Sequence, residues 1–238
     1  MTQKRVAVIM GVGTGLGSKI AQRFAREGFA IGLIARNADS LAQVEAQITE
    51  AGGVALSLPA DVTDANTLAT AFTHLRSQLG KPSVLVYNAA QFLHASLLDI
   101  TPEKFEAMWK VNCLGAFLGV QQVLPDMLAQ QQGTIIFTGA TASLRGSKGF
   151  AGMAVGKFGL RALAQSLARE FSPQGIHVAH VIIDGMIDTQ RVRSMFPDAN
   201  PSTFLSPDAI AETYWQLHQQ DSSAWTLELD LRPSVEKF

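Results

Sequence analysis

The stretch from 10 to 17 constrains this chain most, because four glycines alternate with other residues directly after an apolar run. The apolar run, residues 6–10, predicts a buried strand, and the apolar residues Ile20, Ala21 and Phe24 beyond it predict an amphipathic helix. A strand that turns through glycines into a helix N-terminus can bind a diphosphate, because unpaired N–H groups and the helix dipole favour an anion. A flexible turn with incidental glycines would show the same pattern, so other segments must decide between the two.

Composition indicates which fold class and which kinds of partner to expect for this chain. Of 238 residues, 47% are hydrophobic and 16% are charged, which suits one α/β domain with a large core. The formal net charge of −1 gives no reason to expect a nucleic-acid or membrane partner. The single cysteine, Cys113, excludes an internal disulfide, and the histidines lack metal-ligand spacing, so no metal is predicted. The first apolar run is too short for a signal peptide, and no window is long enough to span a membrane, so we expect a cytoplasmic protein.

Apolar runs and helical patterns alternate along the rest of the chain, which predicts an α/β fold. A long helical pattern over residues 105–131 is apolar on more than one face, and another covers residues 154–171. Ser206 and Pro207 are typical of an N-cap and the first position of a final helix. Further strands are predicted at residues 30–35, 54–58, 84–87, 134–138, 176–182 and, as an edge strand, 225–229.

Three motifs together resemble the short-chain dehydrogenase/reductase family. The glycines have the spacing G-x-x-x-G-x-G, an Asn-Ala-Ala follows the fourth strand, and a Gly-x-Ile-x-Thr loop follows the sixth. Two positions depart from the family pattern, with Ala90 in place of a Gly and Asp184 in place of a Pro. The resemblance covers residues 5–189. It implies a single-domain Rossmann-type, doubly wound parallel sheet of about seven strands over residues 1–238, flanked by helices.

The resemblance also implies a nicotinamide cofactor and the residues that hold it. The glycine-rich turn would take the pyrophosphate, an Asp-Val pair would lie beside the adenine, and the Gly-x-Ile-x-Thr loop would cover the nicotinamide. The implied cofactor-binding residues are Gly11, Thr14, Gly15, Leu16, Gly17, Arg36, Asn37, Asp61, Val62, Asn88, Ala89, Lys157, Gly185, Ile187 and Thr189.

The end of the second strand indicates which nicotinamide cofactor is used. In dinucleotide-binding folds an acidic residue there binds the ribose hydroxyls and repels a 2′-phosphate. This chain has Arg36 and Asn37 instead, and the guanidinium offers a cation to the 2′-phosphate. The sequence therefore favours NADP(H) over NAD, although a solvated surface arginine would look the same.

The catalytic positions of the family are only partly retained. The family uses a Ser, a Tyr and a Lys, with the Tyr four residues before the Lys. Lys157 matches the Lys by its place in the helix, but Met153 stands at the Tyr position and Ala140 at the Ser position. A thioether cannot give up a proton and a methyl cannot form a hydrogen bond. Asn112 matches the helix asparagine that helps position a water and the Lys, so Asn112 and Lys157 are the predicted catalytic residues.

A second alignment places the missing tyrosine elsewhere. In the bacterial enoyl-acyl-carrier-protein reductases, a divergent branch of the family, the Tyr lies seven residues before the Lys. Phe150 then occupies that position and supplies a ring without the hydroxyl. The hydroxyls of Thr141 and Ser143 adjoin Ala140, but neither is a good acid near neutral pH. His94 lies at the expected rim of the pocket and is an outside candidate for a proton donor, with an ordinary surface role favoured.

Three functional hypotheses follow. The first is an NADP(H)-dependent oxidoreductase with an altered proton path, acting on a small carbonyl or activated C=C substrate. The second is a catalytically inactive NADP(H)-binding protein that serves as a sensor or partner subunit. The third is reuse of the fold for a non-redox reaction, since a fold does not determine a function.

Two further expectations concern assembly and the pocket. A helix that is apolar nearly all round is buried on several sides, and the family's equivalent helix packs against a second subunit. We therefore expect a homodimer or homotetramer. The polar stretch 190–206 resembles the family's mobile substrate lid, and a disordered loop is the alternative. His177 and His180 lie on opposite faces of a strand, which indicates structural roles.

Overall fold

The described chain forms one seven-stranded parallel sheet and a small two-stranded one. The computed structural model describes residues 5–236, so the outermost residues of the predicted domain, 1–4 and 237–238, lie outside this description. The strands are β1 Val6–Met10, β2 Ala30–Ala35, β3 Val54–Pro59, β4 Pro82–Tyr87, β5 Gly133–Thr138, β6 Ile176–Ile183, β7 Met186–Ile187, β8 Phe204–Leu205 and β9 Glu228–Leu231. The large sheet has the order β3-β2-β1-β4-β5-β6-β9, with all neighbours parallel. The predicted single-domain, doubly wound fold is confirmed.

Helices cover both faces of the sheet. They are α1 Leu16–Arg26, α2 Ala38–Glu50, α3 Ala65–Gln78, α4 Pro102–Trp109, α5 Gly115–Gln130, α6 Ala151–Phe171, α7 Gln190–Met195 and α8 Pro207–His218. One apolar core lies between the sheet and α3, α5 and α6, and the other lies between the sheet and α1, α2 and α8. Because side chains alternate along a strand, Val8 and Met10 enter the first core while Ala7 and Ile9 enter the second. Burial on both faces explains why these strands are apolar throughout.

The strand order reverses beside β1, and this reversal locates the cleft. The chain runs outward from β1 through β2 to β3, then returns to place β4 on the other side of β1. In such sheets ligands bind at the carboxyl ends of the strands where the order reverses. The glycine-rich turn after β1 and the segments that follow β4, β5 and β6 all lie along that edge.

The predicted helix over residues 105–131 is wrong as a single element. A π-helical turn, Lys110–Leu114, separates α4 from α5. The Asn112 side chain donates a hydrogen bond of 3.0 Å to the Met108 carbonyl, four residues earlier. That carbonyl is the one an α-helical N–H at 112 would use, so its capture by the side chain accompanies the wider turn. Such a turn has no hydrophobic signature, and periodicity alone could not place it.

Three other predicted boundaries shift. The edge strand is Glu228–Leu231 rather than 225–229, because the Trp225 ring instead stacks on His177 at 4.9 Å between centroids. Helix α6 begins at Ala151 rather than 154. The predicted loop 190–206 contains α7 and β8, and β8 pairs with β7. Within residues 5–236, no helix has the length and apolarity needed to cross a lipid bilayer.

Two buried histidines make the fold sensitive to acid. His180 in β6 is 0% exposed, and neither of its ring nitrogens has a hydrogen-bond partner within residues 5–236. Burial, with the positive charge of Lys157, lowers the pKa of His180 to about 4. Burial likewise lowers the pKa of His218 to about 4, and its Nδ1 lies 2.9 Å from the Thr134 hydroxyl. Both imidazoles are therefore neutral in the folded chain near neutral pH.

We expect acid to destabilise the fold through these groups. Between their ordinary pKa of 6.5 and the folded value of about 4, the unfolded chain binds more protons than the folded chain. Stability is therefore fully present above that window and is lost as the pH falls through it. Urea unfolding at a series of pH values should show a shallower acid slope for His180→Leu than for wild type. The exposed His74→Leu is the matched control, and equal slopes for His180→Leu and wild type would contradict this account.

Candidate active site

The turn after β1 brings three backbone segments into close contact. Gly11 has a φ of +91°, and its N–H donates to the Ile34 carbonyl at 2.8 Å. A Cβ on Gly11 would lie 2.3 Å from the Ala89 nitrogen, and one on Gly17 would lie 2.6 Å from the Gly11 oxygen. Side chains at these positions would therefore push β1, α1 and the end of β4 apart.

The N-terminus of α1 carries few side chains of its own, because glycines occupy positions 13, 15 and 17. Gly15 is the N-cap residue and supplies no side-chain hydrogen bond to the first turn. A Cβ on Gly13 would meet no atom within 4 Å, Thr14 is exposed, and Leu16 is buried in the core. A Cβ on Gly15 would lie 2.9 Å from the Thr189 methyl, so the loop after β6 passes directly over this turn. The backbone cradle and the positive end of the helix fit a pyrophosphate group.

Asn88 ties the centre of the sheet together at this edge. Its Nδ2 donates to the Gly11 carbonyl at 3.0 Å, and its Oδ1 accepts from the Thr138 hydroxyl at 3.2 Å. The same hydroxyl lies 2.9 Å from the Tyr214 oxygen. Asn88 therefore connects the ends of β1, β4 and β5 and holds the half-buried Ala89 against the glycine-rich turn.

The ends of β2 and β3 form the outer part of the cleft. Arg36 and Asn37 are exposed there, and the Asn37 side chain caps α2 by accepting from the Ser40 N–H at 2.9 Å. Burial raises the pKa of Asp61, but hydrogen bonds from Thr63 outweigh it, and the net shift is downward with help from the Arg36 charge. The Asp61 carboxylate is therefore ionised, with the positive charge of Arg36 contributing to the shift, and Val62 is buried next to Asp61.

Lys157 lies deep beneath the cleft. It is 1% exposed, and its Nζ donates to the Thr138 carbonyl at 2.7 Å. Burial lowers the pKa of Lys157 to about 8. An ammonium with such a pKa loses its proton more readily near neutral pH than an exposed lysine does.

Asn112 lies against the same helix as Lys157. Its amide donates to the Gln91 carbonyl at 2.9 Å and its oxygen accepts from the Gln91 N–H at 3.3 Å. A Cβ on Gly156 would lie 2.6 Å from the Asn112 Cβ, so the π-helical turn packs tightly on α6. The side chain therefore anchors the segment after β4 to the two helices.

The two positions at which the family resemblance expects a Tyr and a Ser, Met153 and Ala140, carry no hydrogen-bond donor in their side chains. Met153 precedes Lys157 by about one turn of α6, and the half-buried Ala140 follows β5, whose last carbonyl binds Lys157. Phe150 packs on Phe92 with ring centroids 5.6 Å apart. The Ala140 N–H donates to the Ser143 Oγ at 3.1 Å, so Ser143 turns inward and is fully buried.

A hydrogen-bonded pair that periodicity could not predict lies at the ends of β5 and β6. The Thr141 hydroxyl donates to Asp184 Oδ1 at 2.5 Å, and Asp184 is 7% exposed. Asp184 Oδ2 lies 3.7 Å from a guanidinium nitrogen of Arg232. The sequence signal for this pair was an acidic residue in place of the family's proline, but only the register of β5 on β6 shows its partner.

The loop after β6 is held in place at both ends. Gly185 has a φ of +150°, and a Cβ there would meet a Leu205 methyl at 2.8 Å. Ile187 lies in β7, which pairs with β8, and the Thr189 hydroxyl caps α7 by accepting from the Val192 N–H at 3.2 Å. Of these three residues, Thr189 lies against the glycine-rich turn, 2.9 Å from a Cβ on Gly15, while Gly185 and Ile187 lie against Leu205 of β8.

His94, the outside candidate for a proton donor, lies in the segment that follows β4. It is exposed, and its ring lies 4.9 Å from that of Phe150. The same ring occupies the space that a Cβ on Gly149 would need. In the part of the chain described, no group of three or more His, Cys, Asp or Glu side chains could hold a metal ion.

Comparison with known proteins shows the relationships of this chain. Residues 5–200 match the family model described as short chain dehydrogenase. The oxidoreductase YxjF of Bacillus subtilis (strain 168) is 31% identical over 213 residues, covering 88% of this chain and 81% of YxjF. A short-chain dehydrogenase from Rhodopseudomonas palustris is 38% identical with a TM-score of 0.84, covering 98% of this chain and 100% of that one. A metagenomic short-chain oxidoreductase solved in complex with NADP is 27% identical with a TM-score of 0.84, covering 97% and 98%.

The close contact at Gly11 leads to a stability prediction. We expect Gly11→Ala to lower the free energy of unfolding by about 2 kcal/mol or more, because φ is positive and the new Cβ meets the Ala89 backbone. Gly13→Ala is the matched control, since its Cβ enters open space, and it should change stability by less than about 0.5 kcal/mol. Urea unfolding measures both. Equal effects of the two substitutions would mean that the turn tolerates side chains at Gly11.

Proposed function

The chain belongs to the short chain dehydrogenase family, and from that premise we propose that it is an NADP(H)-dependent oxidoreductase. Its substrate is a small molecule with a polarised double bond, for which the sequence predicts a carbonyl or an activated C=C. The observation that carries the proposal is the glycine-rich turn at Gly11–Gly17, whose backbone leads into the N-terminus of α1, together with the exposed Arg36 at the end of β2. The NADP complex of a similar oxidoreductase supports the choice of cofactor.

Each part of the cleft holds one part of the cofactor in this proposal. The backbone around Gly15 takes the pyrophosphate, Arg36 and Asn37 take the 2′-phosphate side of the ribose, and Asp61 with Val62 borders the adenine. When bound, NADPH supplies a hydride. The cleft wall around the nicotinamide comprises Asn88, Ala89, Lys157, Gly185, Ile187 and Thr189.

Lys157 and Asn112 keep roles close to those that the resemblance implies. The buried Lys157 ammonium binds the nicotinamide ribose, and its pKa of about 8 allows it to release a proton near neutral pH. Asn112 acts as a positioning residue, because it fixes the π-helical turn against α6 and the segment after β4. Ala140 and Met153 stand at the places of the family's Ser and Tyr, so the proton path differs from the usual one.

A second candidate is an NADP(H)-binding protein without turnover, acting as a sensor or partner subunit. The specific observation in its favour is that Ala140, Met153 and Phe150 offer no acidic hydrogen. Loss of NADPH absorbance with a panel of small carbonyl, C=C and C=N compounds separates the two. Binding of NADPH without oxidation of it by any of these compounds would favour the second candidate.

Assembly and lid are part of the same proposal. Apolar side chains on α4, α5 and α6 remain exposed, with Phe117 at 42%, Val155 at 48% and Phe158 at 42%. We propose that this face is covered by a second copy of the chain in a homodimer or homotetramer.

Residues 190–206, which carry the exposed Met195 and Phe196, form the lid over the substrate.

The cofactor preference has a direct test. Titration calorimetry should show NADPH binding tighter than NADH, and Arg36→Asp should weaken NADPH binding by about tenfold to a hundredfold, because a charged hydrogen bond is lost and a repulsive charge is added. Arg169→Asp, at an exposed position near the end of α6, is the control. No heat with either nucleotide would overturn the proposed function, and an unchanged affinity in Arg36→Asp would remove Arg36 from the site.

The oligomer has a separate test. Phe158→Glu should shift the mass measured by light scattering toward the monomer, because a charge cannot be buried unpaired in an apolar interface. Leu98→Glu, at an apolar residue that is 94% exposed in the turn 97–99, should leave the mass unchanged. A monomeric wild-type protein at micromolar concentration would contradict the proposed assembly.

A further inference from the structure

The hydrogen-bonded pair of Thr141 and Asp184 leaves acceptor atoms rather than donors for a ligand. Ala140 and Met153 contribute a methyl and a thioether, and neither can donate a hydrogen bond. Thr141 follows Ala140 directly and is half-buried at the end of β5. Its one hydroxyl hydrogen is directed at Asp184 Oδ1, 2.5 Å away, so only the lone pairs of Thr141 remain for a substrate.

Asp184 strengthens this bias toward acceptors. An ionised carboxylate accepts hydrogen bonds and donates none. Its Oδ2 lies 3.7 Å from Arg232, but Arg232 lies much closer to Asp230, so two carboxylates share that guanidinium. The pair of Thr141 and Asp184, which follows the carboxyl ends of β5 and β6, therefore favours a ligand group that is positively charged.

This arrangement does not suit an ordinary carbonyl substrate. A carbonyl that receives a hydride becomes an alkoxide, which needs a donor and then a proton. Acceptor atoms beside the developing negative charge would oppose that step. The donor Lys157 Nζ is buried beneath the cleft on the Thr138 carbonyl and, in the proposed function, serves the nicotinamide ribose.

A C=N⁺ bond has the opposite requirement. When its carbon receives a hydride, the π-electron pair becomes the nitrogen lone pair and the positive charge disappears. The product is a neutral amine, one C–H bond has formed, and no proton has to be supplied. Resting on the proposed oxidoreductase function, we propose that the substrate is an iminium ion, or a secondary or tertiary amine in the oxidative direction, bound through Thr141 and Asp184.

The rim of the cleft supports an apolar carbon frame on that cation. Phe92 is 53% exposed and packs edge-on against Phe150, and Leu144 is 38% exposed on the neighbouring segment. Aromatic faces attract cations and bury flat apolar rings. A cyclic aromatic iminium matches both the ring surfaces and the acceptor pair.

The test compares two probes of nearly the same shape. N-methyl-3,4-dihydroisoquinolinium is a permanent iminium cation, and 1-tetralone is a neutral ketone of similar outline. With wild-type protein and NADPH, we expect a kcat/KM at least about tenfold higher for the iminium than for the ketone, equivalent to about 1.4 kcal/mol. Calorimetry without NADPH should show binding of the iminium and much weaker binding of the ketone.

Variants separate substrate binding from a structural role. Asp184→Asn should raise KM for the iminium about tenfold without lowering kcat, because the carboxylate binds a charge that is already partly lost in the transition state. Asp208→Asn, a surface carboxylate beside Lys19, is the control. The double variant Ala140→Ser with Met153→Tyr should raise the activity toward the ketone, since it supplies the missing donors.

The outcomes distinguish this inference from the proposed function. No NADPH binding would overturn both. NADPH binding with ketone reduction equal to or above iminium reduction would overturn the inference alone, and so would an iminium KM unchanged in Asp184→Asn. The wild-type comparison of the two probes requires no variant, so a misfolded Asp184→Asn leaves the test intact.

Discussion

The contact between Gly11 and the backbone at the end of β4 is the constraint on which the rest of the structure depends. The Gly11 carbonyl accepts from Asn88, and the space that a Cβ would fill holds the Ala89 nitrogen. This contact sets the distance between β1 and β4, where the strand order reverses. Because α1 begins only a few residues later, its positive end is aimed into the same crevice. The contact at Gly11 therefore determines both the spacing of the central strands and the direction in which the N-terminus of α1 points.

A hydrogen-bonded chain extends from this contact to Lys157. Asn88 binds Thr138, and the Thr138 carbonyl accepts from Lys157. Lys157 is held so deeply that its pKa falls to about 8. These three residues and their hydrogen bonds are present, whereas Ala140 and Met153 are apolar. The hydrogen-bonded scaffold is therefore complete without a hydroxyl at residues 140 and 153.

Most of the large sheet and its helices could be predicted from the sequence because they follow from local chemistry. A strand buried on both faces must be apolar throughout, and the predicted strands from residue 6 to 182 match the observed ones within a few residues. The break in the helical segment 105–131 could not be predicted from the sequence. The π-helical turn at Lys110–Leu114 accompanies one side-chain hydrogen bond of Asn112, and the apolar pattern continues through it unchanged. The edge strand begins later than predicted because the Trp225 ring stacks on His177, a residue that is distant in sequence.

The sequence by itself determined the parallel sheet, the glycine-rich turn, the cation at Arg36 and the absence of a phenol or hydroxyl at residues 153 and 140, since each depends on residue type and spacing alone. Tertiary structure decided which groups meet. Strands β5 and β6 bring Thr141 to Asp184 across 43 positions of sequence, and the same pairing buries His180 below Gly139. Such contacts depend on strand register and side-chain direction, which arise only when the sheet has assembled.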